Sequence, residues 1–410
     1  MDFFRDKIAE RLGGKEFGVK TELYKFEKIK RAKDEARALH PDVQLIDMGV
    51  GEPDKPADPS IVNILAREAG KPENRSYSDN GIPEFQEAAA QYLENVYGLK
   101  NLNPYENILH GIGSKPALAM LPLCLINPGD ITLMTIPGYP VTATYTRYSG
   151  GETYSLPLVK ENDFYPDFSG IPEDILRRSK LLYINYPNNP TGQVATKEFF
   201  SEVVEFAHKN NVVVISDVAY APLTFDGSAP LSFLSVDGAM EVGVELHSLS
   251  KAFNMTGWRL AFVVGNPLVI KAYGTVKDNT DSGQFRAIQK AGIYALNHPE
   301  LTHQNCERYS RKFDLLIKAL NEVGFDAEKP KATFYCYVPC PKGTKSGITF
   351  KNAEEVSAFL IKEALISTVP WDEAGPYLRF SATFEAEGPE EEKEVVEEAK
   401  QRLLKLELVF

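Results

Sequence analysis

Leu181-Leu182-Tyr183-Ile184-Asn185-Tyr186-Pro187-Asn188-Asn189-Pro190-Thr191-Gly192 is an apolar run that stops on polar and turn-forming residues. A helically spaced segment, Lys197–His208, follows it, and then a second apolar run, Val212–Ser216. Strand, helix and strand at these lengths make a βαβ unit, whose two strands must lie parallel. The same alternation extends outward. Ile131–Ile136, Val244–His247 and Leu260–Val264 are further short β-branched runs separated by longer helical stretches. An α/β fold with a large, doubly wound, mainly parallel sheet is therefore expected over residues 48–289. Beyond about Gln284 the order changes to long helical stretches, followed by the strands Phe334–Val338 and Tyr377–Ser381, with a helix between them and another after. This predicts a smaller α+β domain over 290–410. It is expected to be discontinuous, with residues 1–47 joining it through an amphipathic helix from Leu23 to Leu39 that ends at His40-Pro41.

At 410 residues the chain is long enough for two cores. Apolar residues at 43% and charged residues at 25% match an ordinary globular composition. The net charge of −12 is spread along the chain and gives no basic surface for nucleic acid. Too little chain precedes the first sheet segment for a helix-turn-helix, and it has no basic recognition face. No apolar run is long enough to span a bilayer, and the charged N-terminus lacks a secretory pattern. Cys124, Cys306, Cys336 and Cys340 show neither redox nor zinc spacing, so reduced thiols, a cytoplasmic location and no metal are expected.

In open α/β sheets, ligands bind beyond the carboxyl ends of the strands. Four segments converge on that edge: the Asn185–Gly192 turn, Asp217-Val218-Ala219-Tyr220, Ser248-Leu249-Ser250-Lys251 with Trp258-Arg259 downstream, and Gly111-Ile112-Gly113-Ser114-Lys115-Pro116. Each has an ordinary explanation when taken alone. Together they place a carboxylate, a lysine and an arginine at one edge. Pyridoxal phosphate (PLP) needs such a set. A lysine holds its aldehyde as an imine. A buried carboxylate keeps its ring nitrogen protonated, and an arginine, hydroxyls and a helix N-terminus take its phosphate.

These motifs resemble the class I/II aminotransferases of PLP fold type I over essentially the whole chain. In Ser-Leu-Ser-Lys-Ala-Phe-Asn-Met-Thr-Gly-Trp-Arg, the resemblance implies that Lys251 is the Schiff-base lysine and Arg259 the phosphate-binding arginine. Ser248 and Ser250 then fall on the phosphate side. It also implies that Asp217 pairs with the pyridine nitrogen, that Tyr220 and Asn189 bind the ring hydroxyl oxygen, and that Tyr139 in Pro-Gly-Tyr-Pro stacks on the ring. Ser114 and Lys115 would line the phosphate turn, and Tyr77 would reach the phosphate of a second subunit, which implies a homodimer with shared sites. Arg379 in Tyr-Leu-Arg-Phe-Ser would grip the substrate α-carboxylate, with Gly51 and Asn189 beside it.

Within that family the chain is most similar to the LL-diaminopimelate aminotransferases, through Gly49-Val50-Gly51-Glu52-Pro53-Asp54, Gly113-Ser114-Lys115 and Lys277-Asp278-Asn279-Thr280-Asp281-Ser282-Gly283-Gln284-Phe285. The Gly-Glu-Pro-Asp stretch departs from the better-known members and is common in aminotransferases generally. The resemblance implies that Asn279, with Lys115, Ser282 and Gln284, lies near the substrate. Glu52 and Lys277 could add to a mixed donor and acceptor set for a distal zwitterion. Aspartate, alanine and aromatic aminotransferases, and PLP lyases on the same fold, remain the alternatives. The expected partners are small amino acids and 2-oxo acids.

Overall fold

The computed structural model describes residues 3–19 and 25–410, the Phe26 side chain excepted. Its largest sheet has seven strands: β1 (Ile108–Gly111), β2 (Ile131–Ile136), β3 (Glu152–Pro157), β4 (Ser179–Asn185), β5 (Val213–Asp217), β6 (Gly243–Ser248) and β7 (Ala261–Gly265). They lie in the order β1-β7-β6-β5-β4-β2-β3. Six strands point the same way, and β7 alone runs antiparallel to its neighbours β1 and β6. Central strands such as β2 and β7 are buried almost throughout, because helices cover both faces of the sheet. On one face the core contains Ile61, Phe85, Leu93, Phe200 and Val203. On the other, Leu118 and Leu121 of helix Ser114–Leu125 meet Ile270 and Tyr273 of helix Pro267–Asp278.

The second core is built on a three-stranded antiparallel sheet, with Tyr377–Ser381 between Val369–Trp371 and Tyr335–Pro339. Phe313, Leu316, Leu360, Val396 and Leu403, from helices His303–Val323, Ala353–Ala364 and Pro389–Leu404, pack over it. The N-terminal helix runs Lys25–Leu39; the expected start at Leu23 lies outside the described residues. Its Ile29 and Ala36 pack with Ile361, Leu365 and Trp371, so this helix sides with the second core. The pair Ile46–Asp47 then adds in parallel to Ile366–Ser367, which brings the strap Gly49–Asp54 into the space between the two cores.

The expected 289/290 division falls within helix Arg286–Asn297, whose Ala291, Ala295 and Leu296 belong to the core under the seven-stranded sheet. Small residues at fourfold spacing let this helix lie close on its neighbours. The second core begins after it.

Candidate active site

The antiparallel β7 is what assembles the site. Because it runs against β6, its first residue lies at the edge where β6 ends, and Ala261 pairs with both Ser248 and Gly111. Lys251 just after β6, Arg259 just before β7 and Ser114 just after β1 therefore meet at one corner. Next along the edge, Asp217 at the end of β5 pairs with Leu246 of β6 and with Asn185 at the end of β4.

The corner is suited to an anion. Ser114 is the first residue of a helix that runs to Leu125, so unpaired backbone N–H groups point outward there. Arg259 donates to the Thr256 carbonyl (2.8 Å) and to Ser250 Oγ (3.4 Å), and the Ser250 N–H donates to Ser248 Oγ (3.2 Å). Gly113 is the only residue type this junction accepts. Its φ is +80°, and a Cβ there would lie 2.1 Å from an Arg259 guanidinium nitrogen. Lys115 is exposed, 5.8 Å from the centre of the half-buried Tyr139 ring.

Asp217 is buried, and among the described residues no lysine or arginine pairs with it. It accepts hydrogen bonds from the Tyr183 hydroxyl (3.1 Å) and the Ala219 N–H (3.3 Å). Burial pushes its carboxyl up to about 6, against the pull of those donors and of His247. Burial also brings the Lys251 amine down to about 8. Arg259 and Arg379 add to the fall, while Glu52 opposes it. The Lys251 amine donates to the Gly51 carbonyl at 2.8 Å.

Arg379 reaches the same space from the second core. It is 2% exposed, and its guanidinium lies 4.0 Å from the centre of the Tyr335 ring. It donates to Asn189 Oδ1 (2.8 Å) and to the Gly49 carbonyl (2.9 Å). Its buried Nε has no partner. With two of five N–H groups engaged, three remain for a carboxylate. Gly51 lines this space, since a Cβ there would meet the Tyr335 hydroxyl and Arg379 at 3.1 and 3.6 Å. Tyr220 contacts the Tyr335 hydroxyl at 3.2 Å, and burial raises its own hydroxyl well above the ordinary range.

The outlying residues behave differently. Tyr77 is 79% exposed, and Asn279 and Ser282 also face outward. Lys277 is fully buried and donates to the Asp79 carbonyl (2.8 Å) and Asp281 (2.6 Å), which fastens two loops together. Gln284 is engaged as well. Its amide donates to the Trp258 and Arg259 carbonyls (2.8 and 2.6 Å) and its oxygen meets His110 (3.0 Å). It braces the backbone of Arg259 from behind.

The family profile described as aminotransferase class I and II matches residues 43–398. The chain belongs to this family. Across its full length the aminotransferase is 59% identical to the LL-diaminopimelate aminotransferase of Methanocaldococcus jannaschii, of which it covers 99%. Among solved structures, substrate-bound BacF from Bacillus subtilis superposes with a TM-score of 0.88 at 33% identity, with 98% of each chain covered. An aspartate aminotransferase mutant from Thermus thermophilus superposes with a TM-score of 0.85 at 26% identity, with 97% of this chain and 99% of that one covered.

Members of this family are generally PLP-dependent, and the residues of the aminotransferase fit that group. Asp217 is a buried carboxylate lacking a cation, which a protonated ring nitrogen would supply. Lys251 has an amine lowered toward neutrality, and the Ser114, Ser248, Ser250 and Arg259 corner suits a phosphate. Sequence reasoning missed Tyr183 and Tyr335. Tyr183 was within reach, since it shares a strand face with Asn185 two residues on. Tyr335 comes from the other sheet, and nothing local in Phe-Tyr-Cys-Tyr marks it.

Proposed function

We propose that the chain is a PLP-dependent LL-diaminopimelate aminotransferase, which aminates tetrahydrodipicolinate at the expense of glutamate in lysine and cell-wall synthesis. The observation that carries this reading is the 59% identity, over essentially both whole chains, to a protein of that name. The aspartate reading rests on a structural neighbour at 26% and stands second.

When bound, PLP supplies an aldehyde that exchanges amines and a ring that takes up the electron pair of a broken Cα–H bond. Lys251 would hold the aldehyde and, once displaced by substrate, carry the proton from substrate Cα to the cofactor carbon. An amine near 8 reaches its neutral form far more readily than an ordinary lysine, as such a base must. Asp217 would keep the proton on the ring nitrogen, Tyr220 and Asn189 would hold the ring hydroxyl oxygen, and Tyr139 would stack on the ring. Ser114, Lys115, Ser248, Ser250 and Arg259 would hold the phosphate. Arg379 would hold and orient the substrate α-carboxylate beside Gly51 and Asn189.

A homodimer belongs to the same proposal. Tyr77 stands 79% exposed on a loop tied down by Arg286, which donates to the Tyr77 carbonyl, and by the Ser78 hydroxyl, which donates to the Gln284 carbonyl. There it would reach a second subunit's phosphate, with Asn279 exposed on the neighbouring segment. We also propose a cytoplasmic location, in keeping with four free thiols, and a division into residues 48–297 and a discontinuous remainder.

The test mixes PLP-loaded protein separately with LL-diaminopimelate, glutamate, aspartate, alanine and phenylalanine. It follows conversion of absorbance near ~420 nm to that near ~330 nm, the two forms of the cofactor. Fast conversion by the first two alone is expected. Conversion by aspartate or phenylalanine but not LL-diaminopimelate would discard the substrate and keep Lys251. Sedimentation of active protein as a monomer would discard the shared site.

A further inference from the structure

A cavity of about 440 Å³ opens against Lys251. Helix Lys25–Leu39 supplies Ile29, Lys30 and Lys33 to its wall, the strap supplies Gly49 to Glu52, and Ser367 lies behind. The volume is that of a small-molecule site. Its charges are unevenly committed. Lys33 is paired with Asp47 at 2.7 Å, and Asp47 also accepts from the Gly49 N–H at 3.1 Å, which fixes the strap to the helix. Lys30 and Glu52 are exposed, and among the described residues neither side chain has an ion pair or hydrogen bond. Glu52 is nonetheless close enough to Lys251 to oppose the fall of its pKa. Ser367 is fully buried, and its hydroxyl has no partner. A Cβ at Gly49 would stand 3.1 Å from that hydroxyl, so the glycine keeps the space in front of it open.

We propose that Lys30, Glu52 and Ser367 form the subsite for the distal end of the substrate, an inference that rests on the diaminopimelate reading above. That substrate carries a second ammonium and a second carboxylate beyond the reacting centre. A free cation, a free anion and an unpaired buried hydroxyl on one wall match this pair in sign and in hydrogen-bonding capacity. Lys30, with the Ser367 hydroxyl, takes the distal carboxylate. Glu52 takes the distal ammonium. Of the cations suggested by the sequence, Lys277 is tied to Asp281 and the Asp79 carbonyl, and Lys115 stands by the Tyr139 ring at the phosphate turn. The N-terminal helix supplies the replacement.

The test compares LL-diaminopimelate with two analogues in the wild type, Lys30→Ala and Glu52→Gln. Lysine lacks the distal carboxylate, and 2-aminopimelate lacks the distal ammonium. Rates are read for each, or competitive inhibition constants where turnover is slow. Lys30→Ala is expected to lower kcat/KM for LL-diaminopimelate and 2-aminopimelate by about 10- to 100-fold, the range of one charged hydrogen bond, chiefly through KM. Lysine should be unaffected. Glu52→Gln should weaken LL-diaminopimelate and lysine and spare 2-aminopimelate. Equal losses on all three compounds, or no loss on LL-diaminopimelate, would overturn the subsite while leaving the parent reading intact. A wild-type protein that ignores LL-diaminopimelate would overturn both. Both side chains are exposed, and the ~420 nm absorbance of the loaded enzyme checks that each variant still holds its cofactor.

Discussion

Asp217 and Asp54 are both buried aspartates, and they are opposites. Asp217 sits at the end of β5 with only a tyrosine hydroxyl and an N–H for company, and burial lifts its carboxyl to about 6. At Asp54 burial pulls the same way, but Lys312 at 2.7 Å and Arg308 at 3.1 Å outweigh it and hold the carboxyl below its ordinary value. Asp54 and Lys312 are 0% exposed, and Lys312 also donates to the Phe384 carbonyl at 2.6 Å. One aspartate has its counter-charge inside the chain, and it pins the strap to the second core. The other has no lysine or arginine beside it among the described residues, only the pull of His247, and is arranged for a cation that arrives from outside. A buried charge becomes a binding determinant when the fold withholds its partner.

The comparison can be broken by exchanging the two phenotypes. Asp217→Asn is expected to lower kcat by about 10²- to 10⁴-fold, the equivalent of a buried pair worth roughly 3–5 kcal/mol, with the fold retained. Steady-state kinetics beside a melting curve would show it. Asp54→Asn should do the reverse. Leaving Lys312 buried without its anion should cost about 3–5 kcal/mol of stability in denaturant titration, with much less effect on the half-reaction of the folded fraction. If Asp217→Asn unfolds the protein and Asp54→Asn only slows it, the contrast is wrong.

Acidity sharpens the same contrast. In cofactor-free protein the raised Asp217 contributes stability that is fully present below its unfolded value of 3.8 and lost as the pH rises through about 6. The loss is about 3 kcal/mol at ~1.4 kcal/mol per unit. The lowered Asp54 contributes stability that is present above 3.8 and lost as the pH falls through its folded value. Stability measured by denaturant titration should therefore fall more steeply from pH 4 to 7 in the wild type than in Asp217→Asn, and PLP should flatten the fall. Over a higher range, capture of PLP by the apoprotein should be half-maximal near pH 8, where the Lys251 amine loses its proton. The smallest effect belongs to Tyr183→Phe. It removes one donor to Asp217, about 1 kcal/mol, and should slow turnover a few-fold.

How much of this was legible in advance depended on what each residue touches. The strands Ile131–Ile136 and Tyr377–Ser381 are found at the ends expected, because both are buried along nearly their whole length and are rich in β-branched, aromatic and aliphatic residues. Glu152–Pro157 escaped notice because it is an edge strand, largely exposed, and reads as polar loop. At the site, residues fixed by a local motif, such as Lys251, Asp217 and Asn189, fall around one space. Lys277 shows the limit of such reading. A lysine that is fully buried against a backbone carbonyl and an aspartate has the same letter as one reaching for substrate. Arg379 and Tyr335 meet as a cross-strand neighbourhood of the second sheet, and pairing between distant strands leaves no trace in either segment.

The β6–β7 hairpin has one more consequence. Under the proposed roles its two arms hold the two ends of the same ligand, Lys251 the aldehyde and Arg259 the phosphate. Ala261 is locked opposite Ser248 by the ladder, so the span between the two grips is set by a single closed loop of chain. That makes the hairpin a caliper. It accepts a cofactor by the length between its functional ends, and one residue added to or removed from the loop would reset the gauge for every ligand at once.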